Sequence, residues 1–218
     1  MTHRKNNPYM QMVEDHEKII NIDEEIYINK WKWNKYFWND NNIFLEIWTW
    51  MWNYFSDESS SNLNINYIWM EIKFKRLYNT VEKSKTKWAI DNYVAIQDYW
   101  QKIDKIFSAW EISEVIVYFP DPWGKKDRQK KHRLFSEEFV SNLYIILKDW
   151  WKIIFKTDHR EYFETTLNFF KEDKWESKVL SFDYEKELWN FDKNKMTEFE
   201  HIFRKDKCKI NYVEFIKK

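Results

Sequence analysis

The sequence predicts an α/β fold, a mostly parallel, seven-stranded sheet with helices on both faces. Three observations lead there. Apolar runs of strand length alternate with longer amphipathic stretches, the signature of βαβ units. The 218 residues suffice to bury one such core, and no repeat, linker or shift in composition marks a second. Two segments near the end are rich in strand formers, which reads as antiparallel strands added at one edge.

In chain order, residues 1–40 are polar and irregular, a mobile arm followed by a short helix, and residues 41–218 form the folded domain. Strands are expected at Ile43–Ile47, Tyr67–Ile72, Tyr93–Ile96, Glu114–Phe119 and Lys152–Lys156, where short apolar runs end in polar residues. Helices fall between several of them, at Lys73–Lys83, Ser136–Leu147 and Arg160–Phe170, where apolar residues recur at helical spacing. Trp175–Tyr184 and Cys208–Ile216 supply the last two strands. An open sheet of this kind binds ligands beyond the carboxyl ends of its strands. Function is therefore sought in the residues that follow each strand.

The 36 Lys/Arg and 36 Asp/Glu residues cancel, so any nucleic-acid contact needs a local patch. A single cysteine, Cys208, excludes an internal disulfide and a cysteine-rich metal site, which suits a reducing cytosol. Histidines at 3, 16, 132, 159 and 201 show no metal-ligand spacing, and no metal is expected. The opening residues lack the apolar core of a signal peptide, and no later run approaches the ~20 apolar residues of a membrane span. The expectation is a cytoplasmic protein, a monomer or weak homodimer.

Residue usage is unusual in one respect. Average usage of about 7% predicts roughly 15 glycines in a chain this long. There is one, Gly124, while tryptophan occurs 15 times. The segment Leu45–Phe55, LEIWTWMWNYF, places tryptophans at 48, 50 and 52 where a strand should turn into a helix. We read most of the tryptophans as standing where the organism places glycine, through a codon that different genetic codes read differently. Glu46 to Trp52 then becomes E-I-G-T-G-M-G, a glycine-rich turn that lets the backbone approach a ligand. Trp48, Trp50 and Trp52 are thus cofactor-site positions, whereas literal indoles fill the ligand volume.

Glu71 ends the second strand, where a carboxylate suits paired ribose hydroxyls. Asp98 follows the third, where an acceptor suits an adenine amino group. Alone, Glu71 reads equally well as a solvated helix-cap acid. Acids after successive strands favour a nucleotide-like cofactor. The fourth strand runs into VYFPDPWGKKDRQKKHRLF. Each proline biases its predecessor away from the helical region, so Phe119 and Asp121 are expected to be extended. From Lys125 to Arg133 six basic residues accompany one acid, a local charge near +5 (six minus one) that suits phosphate. On its own such a run is as often a solvated loop.

FPDPW with a lysine-rich segment behind it, then FKTD and later MTEFE, resembles the bacterial tRNA (guanine-N7-)-methyltransferase family over about residues 40–205. That family is a branch of the Rossmann-like class I methyltransferases. The resemblance implies S-adenosylmethionine as cofactor, held by Glu46, Glu71, Asp98 and Asp121, with Asp121 also the catalytic acid. It implies tRNA contacts at Lys125, Asp158, Thr197, Glu198, Phe199 and Glu200, and we add Lys126, Arg128, Lys130, Lys131 and Arg133 as a phosphate patch. It further implies glycine at Trp69, Trp150 and Trp151 and a true tryptophan at Trp123. Gly124 stands where the family has proline, and the basic segment is one residue longer and carries Asp127. Without the resemblance, TEFE is an ordinary capping box of Thr197 and Glu200.

Guanine N7 has a lone pair and no proton, so the implied transfer needs alignment rather than a base. Asp121 would stabilise the positive charge developing on the purine, while Asp158 with Glu198 or Glu200 would accept from the guanine N1 and N2 donors. Two other readings compete. One is a non-catalytic RNA-binding relative whose cofactor pocket is blocked by Trp48, Trp50 and Trp52. The other is a nicotinamide oxidoreductase, which leaves the basic loop and the TEFE acids unexplained.

Overall fold

A computed structural model describes residues 7–21, 27, 30, 32–47, 53–86, 91–124, 126–188 and 198–218. The chain divides into two compact units, Met1–Ser108 and Ala109–Lys218.

In the first unit, strands β1 (Ile19–Ile20), β2 (Asn42–Ile47), β3 (Ile65–Met70) and β4 (Tyr93–Ile96) lie in the order β1-β4-β3-β2, all parallel. Every residue of β4 and all but the first of β3 are buried, as expected of parallel strands covered on both faces. Helices α1 (Pro8–Glu14), α2 (Trp33–Phe37), α3 (Asn53–Ser61), α4 (Phe74–Thr86) and α5 (Ile103–Ile106) complete the unit. Within the stretch expected to be a mobile arm, the described residues include α1 and β1. Asn7 caps α1 by accepting from the Tyr9 N–H at 3.1 Å, with Pro8 at the first helical position. Ile19 and Ile20 pair with Ala95 and Ile96. Burying two isoleucines gives this polar segment its anchor.

In the second unit, β5 (Ile112–Tyr118), β6 (Leu147–Thr157), β7 (Trp175–Ser181) and β8 (Asn211–Lys217) run in the order β5-β6-β8-β7. β5 and β6 are parallel, and β8 is antiparallel to both its neighbours. The last strand inserts between β6 and β7, so β8 alone is reversed where two reversed strands at the edge were expected. Helices α6 (Glu137–Ile146), α7 (Arg160–Leu167), α8 (Tyr184–Glu187) and α9 (Glu198–Lys205) accompany them. Ser136 caps α6, accepting from the Phe139 N–H at 3.2 Å, with Glu137 and Glu138 in the first turn complementing the helix dipole.

Six of the nine described tryptophans form two groups, while Trp100, Trp123 and Trp151 are half-buried. Trp33, Trp69 and Trp175 are buried; Trp33 donates to the Ile106 carbonyl at 3.1 Å, and Trp175 packs on Tyr144 and Phe170. Trp38, Trp110 and Trp150 are 93%, 60% and 74% exposed and have φ of 56°, 56° and 67°. Trp38 ends α2 in the left-handed conformation, the position where helices usually place glycine. Trp150 lies in an excursion of β6, where Leu147 to Lys152 spans the register that β5 covers from Ile112 to Glu114. A large apolar side chain in solvent, on backbone that L-residues disfavour, is doubly unfavourable.

Phe119 also departs from expectation. It is not extended but left-handed, with φ of 50°. Its N–H donates to the Lys156 carbonyl at 2.8 Å and its buried ring lies 5.2 Å from that of Phe203. These contacts override the bias that Pro120 imposes.

Candidate active site

At the carboxyl ends of three successive strands of the first unit stand three buried carboxylates. Glu46 is the penultimate residue of β2, Glu71 directly follows β3, and Asp98 comes two residues after β4; they are 6%, 4% and 2% exposed. Glu71 Oε1 accepts from the Lys73 N–H at 2.7 Å, and its Oε2 lies 3.6 Å from the Arg76 guanidinium. Asp98 accepts from the Tyr99 N–H at 2.7 Å and pairs with Lys102 at 3.1 Å. Glu46 Oε2 and Glu71 Oε2 have no hydrogen-bond donor among the described residues. Burial pushes the Glu46 carboxyl well above its ordinary value, and the nearby Glu71 charge adds to this. Burial also raises Glu71, opposed by the Lys73 amide and Arg76. Buried acceptors without donors are costly; Glu71 and Asp98 line a small cleft with Ile47, Met70, Ile72 and Trp100.

This donor-poor, acceptor-rich edge fits a ligand bearing hydroxyl and amino donors, such as the nucleoside part of S-adenosylmethionine. The cleft measures about 10 Å³, room for no more than a water. Trp48, Trp50 and Trp52, between β2 and α3, lie outside the described residues.

The second unit carries the other candidates. The PDPW loop leaves β5 and is left-handed at both ends, with φ of 50° at Phe119 and 43° at Trp123. Strain of this kind, about 1–3 kcal/mol for each residue, persists where surrounding structure enforces it. Half-buried Asp121 lies between them. A Cβ at Gly124 would meet His159 Nε2 at 2.8 Å, so a larger residue there needs the imidazole to shift. Asp127–His132 form a short 3-10 turn on which Lys126, Arg128 and Lys131 flank or line an exposed basic face. Lys130 is held by Asp127 at 3.2 Å and Glu161 at 3.3 Å.

Two assignments are corrected. Arg133 is not a phosphate ligand: it is 7% exposed, its Nε donates to the Pro122 carbonyl at 2.7 Å, and its two terminal nitrogens bind Glu161 at 3.1 and 2.5 Å. Glu200 does not face a substrate. It is fully buried in α9 and accepts from Lys156 Nζ at 3.2 Å, with the ammonium 4.8, 4.4 and 5.5 Å from the rings of Tyr118, Tyr184 and Tyr212. Lys156 and Glu161 carried no signal in the sequence. Lys156 stands in an apolar strand, and Glu161 meets Arg133 only through the fold. Asp158 is exposed just past β6. Glu198 and Phe199 open α9, while Lys125 and Thr197 lie outside the described residues.

Residues 40–212 match a protein family described as "Putative methyltransferase". Over 217 residues the chain is 34% identical to a bifunctional glycosyltransferase/methyltransferase of Fusobacterium nucleatum, a match covering 97% of this chain and 33% of that protein. Over 179 residues it is 35% identical to a tRNA (guanine-N(7)-)-methyltransferase of Clostridioides difficile, covering 80% and 79% of the two chains. The chain therefore spans about a third of the first relative and most of the second. Among solved structures, the 16S rRNA methyltransferase KamB superposes with a TM-score of 0.62 at 9% identity, covering 86% of this chain and 93% of that one. At that identity the likeness shows the fold, that of class I methyltransferases.

Proposed function

Since the chain belongs to the methyltransferase family that includes the tRNA (guanine-N(7)-)-methyltransferases, we propose that it transfers a methyl group from S-adenosylmethionine to N7 of a guanine in tRNA. The observation that carries this reading furthest is the row of buried carboxylates after β2, β3 and β4, two of them with an oxygen lacking a donor.

When bound, S-adenosylmethionine would supply an electrophilic sulfonium methyl for the guanine N7 lone pair, with S-adenosylhomocysteine as the leaving product and the positive charge left on the purine. Glu71 would accept from the ribose hydroxyls and Asp98 from the adenine amino group, and Glu46, near the end of β2, would complete the set of acceptors for the cofactor. Asp121 stabilises the charge developing on guanine, an electrostatic contribution present mainly in the transition state. Asp158 and Glu198 accept from the N1 and N2 donors that distinguish guanine from adenine. Thr197 and Phe199 would contact the base, Glu200 anchors α9 through Lys156, and Lys125, Lys126, Arg128 and Lys131 would neutralise phosphates. No group need remove a proton before attack, so the chain contributes alignment and charge.

The native protein carries glycine at 48, 50 and 52 in this reading. The left-handed, solvent-exposed tryptophans at 38, 110 and 150 support the same exchange. The methyltransferase domain is taken as residues 41–218, acting in the cytosol as a monomer or weak homodimer. No helix among the described residues is long and apolar enough to cross a membrane.

The test is methyl incorporation from labelled cofactor into a tRNA transcript and into the same transcript built with 7-deazaguanine. The account requires label in the first and none in the second. Equal labelling of both, or label on adenine, overturns the N7 assignment.

A further inference from the structure

Asp121, read above as the acid beside the reacting base, sits on a loop whose two ends are strained, and what holds that loop is visible. The Phe119 N–H is bonded to the Lys156 carbonyl at 2.8 Å, and the Trp123 ring lies 5.5 Å from that of His132. Between these points the Pro122 carbonyl accepts from Arg133 Nε at 2.7 Å. We propose that Arg133 is the positioning residue of the PDPW loop, fixing Asp121 for transfer through the Pro122 carbonyl.

The guanidinium is itself fixed on every side. Its terminal nitrogens bind both oxygens of Glu161 at 3.1 and 2.5 Å, and its plane lies 4.7 Å from the centre of the Tyr162 ring. The Tyr162 hydroxyl in turn accepts from the Phe135 N–H at 3.2 Å. Glu161 and Tyr162 open α7, so the clamp runs from the first turn of that helix, through one arginine, to the carbonyl next to Asp121. Lysine cannot reproduce it. An ammonium has one nitrogen and no planar fork, and so cannot serve the carbonyl and both carboxylate oxygens in this geometry. Nor does Arg133 reach RNA, since it is 7% exposed and its donors are engaged within the unit.

The test compares Arg133→Lys, Arg133→Met and Lys131→Ala with their parent, all four carrying glycine at 48, 50 and 52, in three measurements. These are hydrogen exchange of peptides spanning 117–124, the slope of log tRNA affinity against log salt, and kcat at saturating tRNA. The proposal expects faster exchange across 117–124 in both Arg133 variants. Arg133→Met should leave the salt slope unchanged, whereas Lys131→Ala should lower it by about 0.7–0.9. In Arg133→Lys, kcat should fall at least tenfold while the KM for tRNA changes little. If Arg133→Met melts too low to assay, Arg133→Lys and Glu161→Gln carry the exchange measurement. Unchanged exchange in Arg133→Lys overturns the clamp, as does a salt slope lowered in Arg133→Met. A parent protein with glycine at 48, 50 and 52 that protects the loop yet transfers no methyl would sink the functional reading and leave the clamp standing.

Discussion

The two units bury charge in opposite ways. In the first, Glu46 is buried with no hydrogen-bond donor on one oxygen, and the charge nearest it is another carboxylate, Glu71. In the second, two acids are held by cations: exposed Glu161 meets Arg133 and Lys130, and fully buried Glu200 meets Lys156 beside three tyrosine rings. The consequences for ionisation are opposite. Glu46 is pushed up by burial, whereas the Arg133 guanidinium holds Glu161 down at about 2. A buried charge whose partner is present belongs to the architecture. One whose partner is missing costs stability, and the natural account of that cost is a ligand that supplies the missing donors.

The comparison breaks first, and most severely, at Lys156. Lys156→Met leaves Glu200 buried without its cation and should destabilise the protein by about 3–5 kcal/mol. The double variant with Glu200→Gln should recover most of that loss. Urea unfolding of the two proteins measures both numbers. A single variant as stable as the original would mean the pair is not structural.

Glu46 should behave in the reverse sense. Replacing it with Gln removes a charge that burial disfavours, and should stabilise the unliganded protein by about 1–3 kcal/mol at neutral pH. The pH dependence carries a sign. Because the folded-state value lies above the ordinary 4.5, the folded protein binds the proton more tightly than the unfolded chain. Stability from this group is therefore present below about 4.5 and is lost as pH rises toward the raised value. Melting curves between pH 4 and 8 should show this slope in the original and its loss in Glu46→Gln. A Glu46→Gln protein that is destabilised at pH 7 would contradict the comparison.

Tryptophan repeats the opposition at smaller scale. Trp33 is buried with its N–H satisfied, while Trp150 is in solvent on left-handed backbone. Trp150→Gly should stabilise by about 1 kcal/mol, the relief of one strained residue less the entropy glycine adds to the unfolded chain. Trp33→Gly should instead open a cavity and cost several times as much. Peptide mass mapping of the protein from its own organism sharpens this further, with glycine expected at 38, 110 and 150.

Much of this was legible in the sequence. Strands β2 to β6 announced themselves as apolar runs, whereas the two-residue β1 in a polar segment did not; Glu71 and Asp98 drew attention by following such runs, and Glu46 through the family resemblance. What escaped depended on partners distant in sequence. The three-way grip of Arg133 requires Glu161 and Pro122 to converge, and a lysine-rich neighbourhood disguised it as a phosphate ligand. Glu200 looked like a guanine acceptor because nothing local reveals Lys156 beneath it. The insertion of β8 between β6 and β7 follows from chain routing, on which the pattern of strand formers is silent.

The central claim is that the buried carboxylates after β2, β3 and β4 of the first unit bind the cofactor, while Glu161 and Glu200 of the second, held by Arg133 and Lys156, do not. Calorimetric titration of S-adenosylmethionine into the chain with glycine at 48, 50 and 52 tests it directly, alongside the same protein carrying Glu71→Ala or Glu161→Gln. The account predicts measurable binding to the glycine form, a loss of at least tenfold with Glu71→Ala, about 1.4 kcal/mol, and no change with Glu161→Gln. Equal affinity in the Glu71→Ala protein, or a loss confined to Glu161→Gln, would contradict it.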